Sequence, residues 1–250
     1  MKMRYRLLII IVGLMTVVSF FYWRWPIMTG KLNGQTIYLA VLNSFHVKDS
    51  HAYPLFMLID DDSGEGIYKI REICERVGVK ATFAVVPAFL DSARCDSLRK
   101  WQQEGYGIAL HSYDHGRWKD WTKEEVVSDI DRSLAFLRER GFETNKINLV
   151  VTPGFYNTRA IRSAVATKGM KMIMGANVVN PDTTTSQWGR LFIKKETDID
   201  ETRGVLLRAK EKKGFVVFGT HSSIPDEFSA EKTEEILRIA HQIGIKLKMK

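Results

Sequence analysis

Three aspartates, Asp60, Asp61 and Asp62, stand together in this chain, and His111 and His115 lie four apart in His111-Ser112-Tyr113-Asp114-His115. Imidazoles at that spacing, on one turn of helix or in a tight loop, point the same way. A carboxylate from a second element then completes a facial set of three protein ligands with positions left for water. Such an open set, of nitrogen and oxygen donors, suits zinc or another divalent transition metal in a catalytic rather than a structural role. Asp61, His111 and His115 are read as those ligands, and the chemistry they imply is metal-assisted hydrolysis. An HxxxH pair alone is a weak signal, so the assignment depends on the elements that position it.

From residue 55 onward short apolar runs alternate with helical patterns, the signature of βα units around a parallel sheet or barrel. Strands are expected at 56–59, 81–86, 108–110, 147–151, 171–173, 191–193, 216–219 and 245–247. Between them, Ile67, Ile70, Ile73, Cys74 and Val77 mark one helical face behind a Ser63 cap, and Leu98 with Trp101 marks another. Thr122 and Glu125 form a capping-box signature ahead of Val126, Ile130 and Leu137, and further helices are expected at 159–167, 201–212 and 230–243. The predicted fold is α/β, a distorted (β/α) barrel of about seven strands. In such folds reactive groups sit at the carboxyl ends of strands. Those ends carry Asp60, Asp61 and Asp62, then His111, then Thr152 and Pro153, then His221, whereas the second strand ends at Pro87 and offers no ligand. The simpler alternatives are a polar turn capping the next helix for the aspartates and a hydrogen-bonded core histidine for His221.

The rest of the chain frames this domain. A net charge of +8, spread through the sequence apart from Lys246, Lys248 and Lys250, reads as a solvated basic face, and no nucleic-acid partner is expected. Cys74 and Cys95 fall at apolar helix positions, as small buried thiols do, and neither has zinc-ligand spacing. Lys2, Arg4 and Arg6 precede an uncharged run of seventeen residues, 7–23, closed by Tyr22 and Trp23 and followed by Arg24. That pattern predicts an uncleaved membrane anchor over 1–25 in preference to a cleaved signal peptide, with the domain outside the cytoplasm at the cell envelope. Residues 26–54 are assigned as stalk and lead-in, in which 37–42 could be a strand, and 55–250 as the catalytic domain.

On these residues the chain resembles the polysaccharide deacetylase family, the NodB-type carbohydrate esterases, from about residue 55 to the end. The strand ending Leu58-Ile59-Asp60-Asp61 is similar to the family's strand that ends in an Asp-Asp pair, and Lys80-Ala81-Thr82-Phe83 looks like the next family strand. His111-Ser112-Tyr113-Asp114-His115 is similar to the His-Ser/Thr-x-x-His element, and Gly219-Thr220-His221 to the late motif that carries one histidine. The resemblance implies Asp60 as general base, Asp61, His111 and His115 as ligands of a divalent metal such as Zn2+, and His221 as general acid. A second register, with Asp61 as base and Asp62 as ligand, also fits, because Asp62 stands where the family usually has glycine. The family's third motif normally begins with an arginine that orients the base. Here the segment reads Val150-Val151-Thr152-Pro153-Gly154-Phe155-Tyr156-Asn157, with no arginine.

The substrate implied by the resemblance is an acetylated carbohydrate, N-acetylhexosamine units of an envelope glycan in particular. Pro153, Gly154, Phe155 and Tyr156 are expected beside it, with a backbone N–H of Gly154 or Phe155 facing the developing oxyanion. Loop aromatics, Trp188 among them, could stack on sugar rings. Two alternatives stand beside deacetylation. One is a catalytically silent protein of the same fold that binds glycan or scaffolds other proteins; the other is a metal hydrolase of a different amide or ester.

Overall fold

A computed structural model describes residues 33–50, 52–61 and 64–247 of the protein. The expected anchor at 1–25 lies outside them, as do Asp62 and Ser63; among the described residues no helix is long and apolar enough to cross a membrane. In chain order the elements are α1 (Gly34–Ser44), β1 (Leu55–Asp61), α2 (Gly66–Val77), β2 (Ala81–Val85), α3 (Ser92–Gln103), β3 (Gly107–Leu110), α4 (Lys123–Glu139) and β4 (Leu149–Val151). There follow α5 (Arg159–Thr167), β5 (Lys171–Met174), β6 (Gln187–Gly189), β7 (Leu191–Phe192), α6 (Ile199–Glu211), β8 (Phe215–Thr220), α7 (Ala230–Gln242) and β9 (Lys246–Leu247).

Local chemistry explains most helix starts. Thr122 and Glu125 form the reciprocal capping box of α4, while Asp91, Thr158, Asp198 and Ser229 accept backbone N–H bonds at the starts of α3, α5, α6 and α7. Residues 37–42 are helical, not a strand. Their apolar run is continuous, so periodicity could not separate the two states, and Asn33 decides the matter by capping the Thr36 N–H at 2.8 Å.

The strands run parallel in the order β6-β5-β4-β3-β2-β1-β8-β7, with β9 added against the start of β1. The two ends of that path, β6 and β7, are consecutive in sequence and separated by Arg190 alone. β6 pairs with β5 and β7 with β8, so one short stretch closes the sheet into a near-closed barrel with Arg190 at the seam. Alternate residues face opposite sides of each strand. Met57, Ile59, Ala84, Ala109, Val151, Ile173, Trp188 and Val217 fill the barrel interior, whereas Phe56, Leu58, Phe83, Ile108 and Val216 pack outward in the core beneath the helices. Trp188 is therefore a fully buried barrel residue and not a loop aromatic near sugar. Its ring meets Phe215 edge-on, with centroids 4.8 Å apart.

Because Trp188 fills the interior next to the seam, Trp188→Ala should cost about 3–5 kcal/mol of stability. Equilibrium urea unfolding measures this, and an unchanged midpoint would show that the barrel interior is not packed as described.

Candidate active site

Parity along β1 separates the aspartates. Asp61 follows Met57 and Ile59 into the barrel, while Asp60 follows Phe56 and Leu58 toward the helices. Both are fully buried. Asp60 is held from behind the strand: its Oδ1 accepts from Thr220 Oγ1 at 2.7 Å and from the Ser222 N–H at 2.9 Å, and its Oδ2 from Ser222 Oγ at 2.6 Å. Burial pushes the Asp60 carboxyl up to about 7, against the Ser222 and Thr220 bonds. This residue, expected as the base, is not directed at the barrel mouth.

Asp61, expected as a metal ligand, is engaged by a different partner. Arg190 Nη1 donates to Asp61 Oδ1 at 2.8 Å, and Arg190 Nη2 lies 2.7 Å from Oδ2, off the hydrogen-bond direction. His221 Nε2 lies 3.3 Å from the same Oδ2, so Asp61 bridges a guanidinium and an imidazole. Burial alone would raise the Asp61 carboxyl; the charges of Arg190 and His111 and the contacts with His221 and Arg190 reverse this and hold it well below the carboxylate range. Arg190 is itself fully buried, its guanidinium carbon 4.6 Å from the Phe155 ring centre and 4.5 Å from that of Phe192. Opposite it, a Cβ on Gly219 would lie 3.0 Å from Arg190 Cδ, so the glycine of β8 makes room for the arginine.

His221, directly after β8, is mostly buried and spans two carboxylates, with Nδ1 3.3 Å from Glu227 Oε2. Glu227 is paired in turn with Lys194 at 2.7 Å. Burial would lower the His221 pKa, but the bond and charge of Asp61 and the bond to Glu227 outweigh it and raise it. The ring also lies against Phe192 and Phe155, at centroid distances of 4.8 and 6.2 Å.

His111 and His115 meet in a tight loop, not a helix, with ring centres 4.9 Å apart. Ser112 and His115 both take left-handed backbone angles there, φ 65° and 59°, which few non-glycine residues adopt. Asp129 of α4 braces the turn by accepting the Tyr113 N–H at 2.9 Å, and Ser112 Oγ accepts the Gly116 N–H at 3.0 Å. His111 Nδ1 lies 2.9 Å from the Val151 carbonyl, which can only accept, so Nδ1 donates to it, a backbone anchor of the kind that metal-binding histidines use. Among the described residues no three His, Cys, Asp or Glu side chains converge as a metal site. The two imidazoles are of the donor type a divalent ion takes, whereas Asp61 is engaged by Arg190; the neighbouring Asp62 lies outside the described residues.

Of the expected substrate residues, Pro153 is buried and Gly154 and Phe155 both have φ 58°, a turn that lays the Phe155 ring over Arg190. The Phe155 N–H is taken by the Thr152 carbonyl at 3.0 Å. Tyr156 covers Gly154, where a Cβ would lie 2.8 Å from its ring. Arg190, Phe192, Glu227 and Lys194 were not anticipated. The one sequence signal was an arginine inside the apolar run Trp188-Gly189-Arg190-Leu191-Phe192, at a position sharing the inward parity of Trp188.

A near-closed parallel barrel with its polar groups gathered at the carboxyl ends of the strands defines the general class, a (β/α) barrel scaffold. The polysaccharide deacetylase family model matches residues 48–173, half of the chain, and the chain belongs to that family. Solved structures share the fold. The Xyl-CE4 domain of a multidomain xylanase from the hindgut metagenome of Trinervitermes trinervoides is 16% identical, with a TM-score of 0.56 over 78% of this chain and 87% of that one. A family 4 acetyl xylan esterase from Clostridium thermocellum, solved with a cobalt ion, is 14% identical, with a TM-score of 0.58 over the same shares. A CE4 family pseudoenzyme from Bacillus anthracis is 17% identical, with a TM-score of 0.54 over 78% of this chain and 63% of that one. None of the curated proteins matches the chain in sequence.

Two predictions follow from this geometry. Arg190→Met leaves a buried carboxylate without its counter-charge and should lower the unfolding free energy by about 3–5 kcal/mol, with a smaller loss when Asp61→Asn is added; additive losses in this cycle would show that the pair is not coupled. Asp129 supplies a pH dependence. Burial raises its carboxyl from 3.8 to about 6, against the Tyr113 bond. The folded state therefore holds this proton longer than the unfolded chain, so the stabilisation is complete below the unfolded value and is lost as pH rises through the folded one. Asp129→Asn, which keeps the acceptor for Tyr113, should flatten the fall in urea midpoint between about pH 4 and about pH 6; an identical slope in both proteins would assign the dependence elsewhere.

Proposed function

We propose that the protein is a metal-dependent deacetylase that hydrolyses acetyl groups from a carbohydrate, with N-acetylhexosamine units of an envelope glycan as the substrate class. The observation that carries the proposal is Asp61, held between Arg190 and His221 and acted on by the charge of His111, whose ring meets that of His115. The metal ligands in this proposal are His111, His115 and Asp62, with Asp61 as base and His221 as acid, the second of the two registers that the sequence permits. A divalent ion bound there, Zn2+ or a similar metal, supplies polarisation of the acetyl carbonyl and acidification of water.

The chain's own groups divide the proton work. Arg190 keeps Asp61 ionised and fixed, ready to take a proton from the attacking water as its oxygen bonds to the carbonyl carbon. His221, whose protonated form is favoured by two flanking carboxylates, gives its proton to the leaving nitrogen as the C–N bond breaks. Acetate and the free amine are the products. The 3.3 Å contact between Asp61 and His221 then returns the proton from base to acid. Phe155 and Phe192 exclude water from the guanidinium side, and with the Phe155 N–H engaged by Thr152, a backbone donor to the oxyanion falls to Gly154. In this reading Arg190 supplies the guanidinium that the segment 150–157 lacks. Basic residues ahead of the apolar run at 7–23 support an anchored protein with its domain outside the cytoplasm.

Acetate release from acetylated chitooligosaccharides and peptidoglycan fragments tests the proposal. Asp61→Asn and His221→Ala should each lower kcat by about 10²–10⁴, and His111→Ala or His115→Ala should lose both bound metal and release. Full activity in Asp61→Asn would remove Asp61 as base. Bound metal with no release from any acetylated glycan, and glycan binding unchanged by His111→Ala, would favour the silent binding protein.

A further inference from the structure

Helix α1 is a surface helix without a charged residue, Gly34-Gln35-Thr36-Ile37-Tyr38-Leu39-Ala40-Val41-Leu42-Asn43-Ser44. One face, with Thr36, Leu39, Ala40 and Asn43, is buried on the barrel, where Leu39 approaches Gly189 of β6. The opposite face is apolar as well: Ile37 is 50% exposed, Tyr38 37%, Val41 42%, Leu42 41% and Phe45, which ends the helix, 67%. A helix with apolar residues on both faces normally has cover on both. A contiguous apolar patch of this kind marks a contact surface rather than scattered exposed side chains.

We infer that this outer face lies in the surface of the lipid bilayer, beside the anchor. The proposal rests on the expectation that 7–23 is a membrane segment. That run ends at Trp23, ten residues before the Asn33 cap, so fully extended chain places α1 within about 35 Å of the segment's end. Tyr38 and Phe45 suit the depth where aromatic side chains collect, and the face carries no charge to desolvate. A cation flanks the patch, with the Arg162 guanidinium 5.3 Å from the Tyr38 ring. The same helix is fastened to the mouth of the barrel: Asn33 Nδ2 donates to the Gly175 carbonyl at 3.2 Å and Gln35 Nε2 to the Phe155 carbonyl. Seating α1 in the bilayer surface therefore brings the site close to the membrane, where glycan carried by or lying against the envelope is within reach.

The test uses the full chain with a bimane label on Val41→Cys, and in a second sample on Lys100→Cys, an exposed residue of α3; the native Cys74 and Cys95 are buried. After reconstitution into vesicles of phosphatidylcholine and phosphatidylglycerol, the label at 41 should lose most of its fluorescence to shallow doxyl lipids and little to aqueous iodide, with the reverse at 100. Equal iodide quenching at both positions in protein that floats with the vesicles would overturn the proposal and leave the anchor standing. Failure to float would remove the anchor and the proposal together. A label at 41 shielded from both quenchers would show that protein covers the face, a second copy or the chain's own 7–23 run, and would also overturn it.

Discussion

The buried pair of Arg190 and Asp61 is the constraint around which the rest of this barrel is arranged. An ionised carboxylate without a partner in such an interior costs several kcal/mol, and a lone guanidinium costs as much. Both residues have no exposed surface, so neither can be removed singly without leaving a buried charge. The neighbours fit the pair: Gly219 leaves space for the arginine stem, Phe155 and Phe192 lie against its guanidinium, and the left-handed turn at Gly154 and Phe155 lets one of those rings reach it. Arg190 is also the residue at which the chain passes from one edge of the sheet to the other. Barrel closure and the charge state of the site are thus one structural event.

Much of this architecture was legible in the sequence where short-range chemistry determines it. The capping box at Thr122 and Glu125, the apolar spacing of α2 and the strand that delivers His111 depend on residues a few positions apart. The seam was not legible, because β6 and β7 are three and two residues long and offer no period to read. Nor could the contact between Arg190 and Asp61 be foreseen, since 129 residues separate them and an arginine in an apolar run reads locally as an interruption. Helix α1 escaped for the opposite reason: with apolar residues on both faces it shows no contrast.

Three consecutive aspartates illustrate how a single structural rule can decide between chemical roles. Neighbouring residues of a strand face opposite sides, so Asp60 and Asp61 cannot both enter the barrel. Asp60 becomes a buried carboxyl held by Thr220 and Ser222, with burial holding its proton to about 7. Asp61, one position on, meets a guanidinium and is driven the other way. The difference between the two carboxyls arises from side-chain direction and the partners found there, not from residue type.

The same reasoning bears on the arginine absent from 150–157. A base oriented by a guanidinium needs that group at a particular point in space, and a barrel interior is a volume shared by all its strands. Any strand end whose side chain has inward parity can supply that group, provided the opposite wall leaves room. In the proposed mechanism Arg190, just after β6, supplies it, and β8 leaves room through Gly219. That proposed substitute differs in kind, because an arginine carried on a loop can be lost while the barrel remains closed, whereas Arg190 sits at the seam, between the two strands that close the barrel. A substitution that disturbs the pair must therefore disturb the seam, so under the proposed mechanism activity and stability at this position are coupled more tightly than in a site whose arginine stands on a loop.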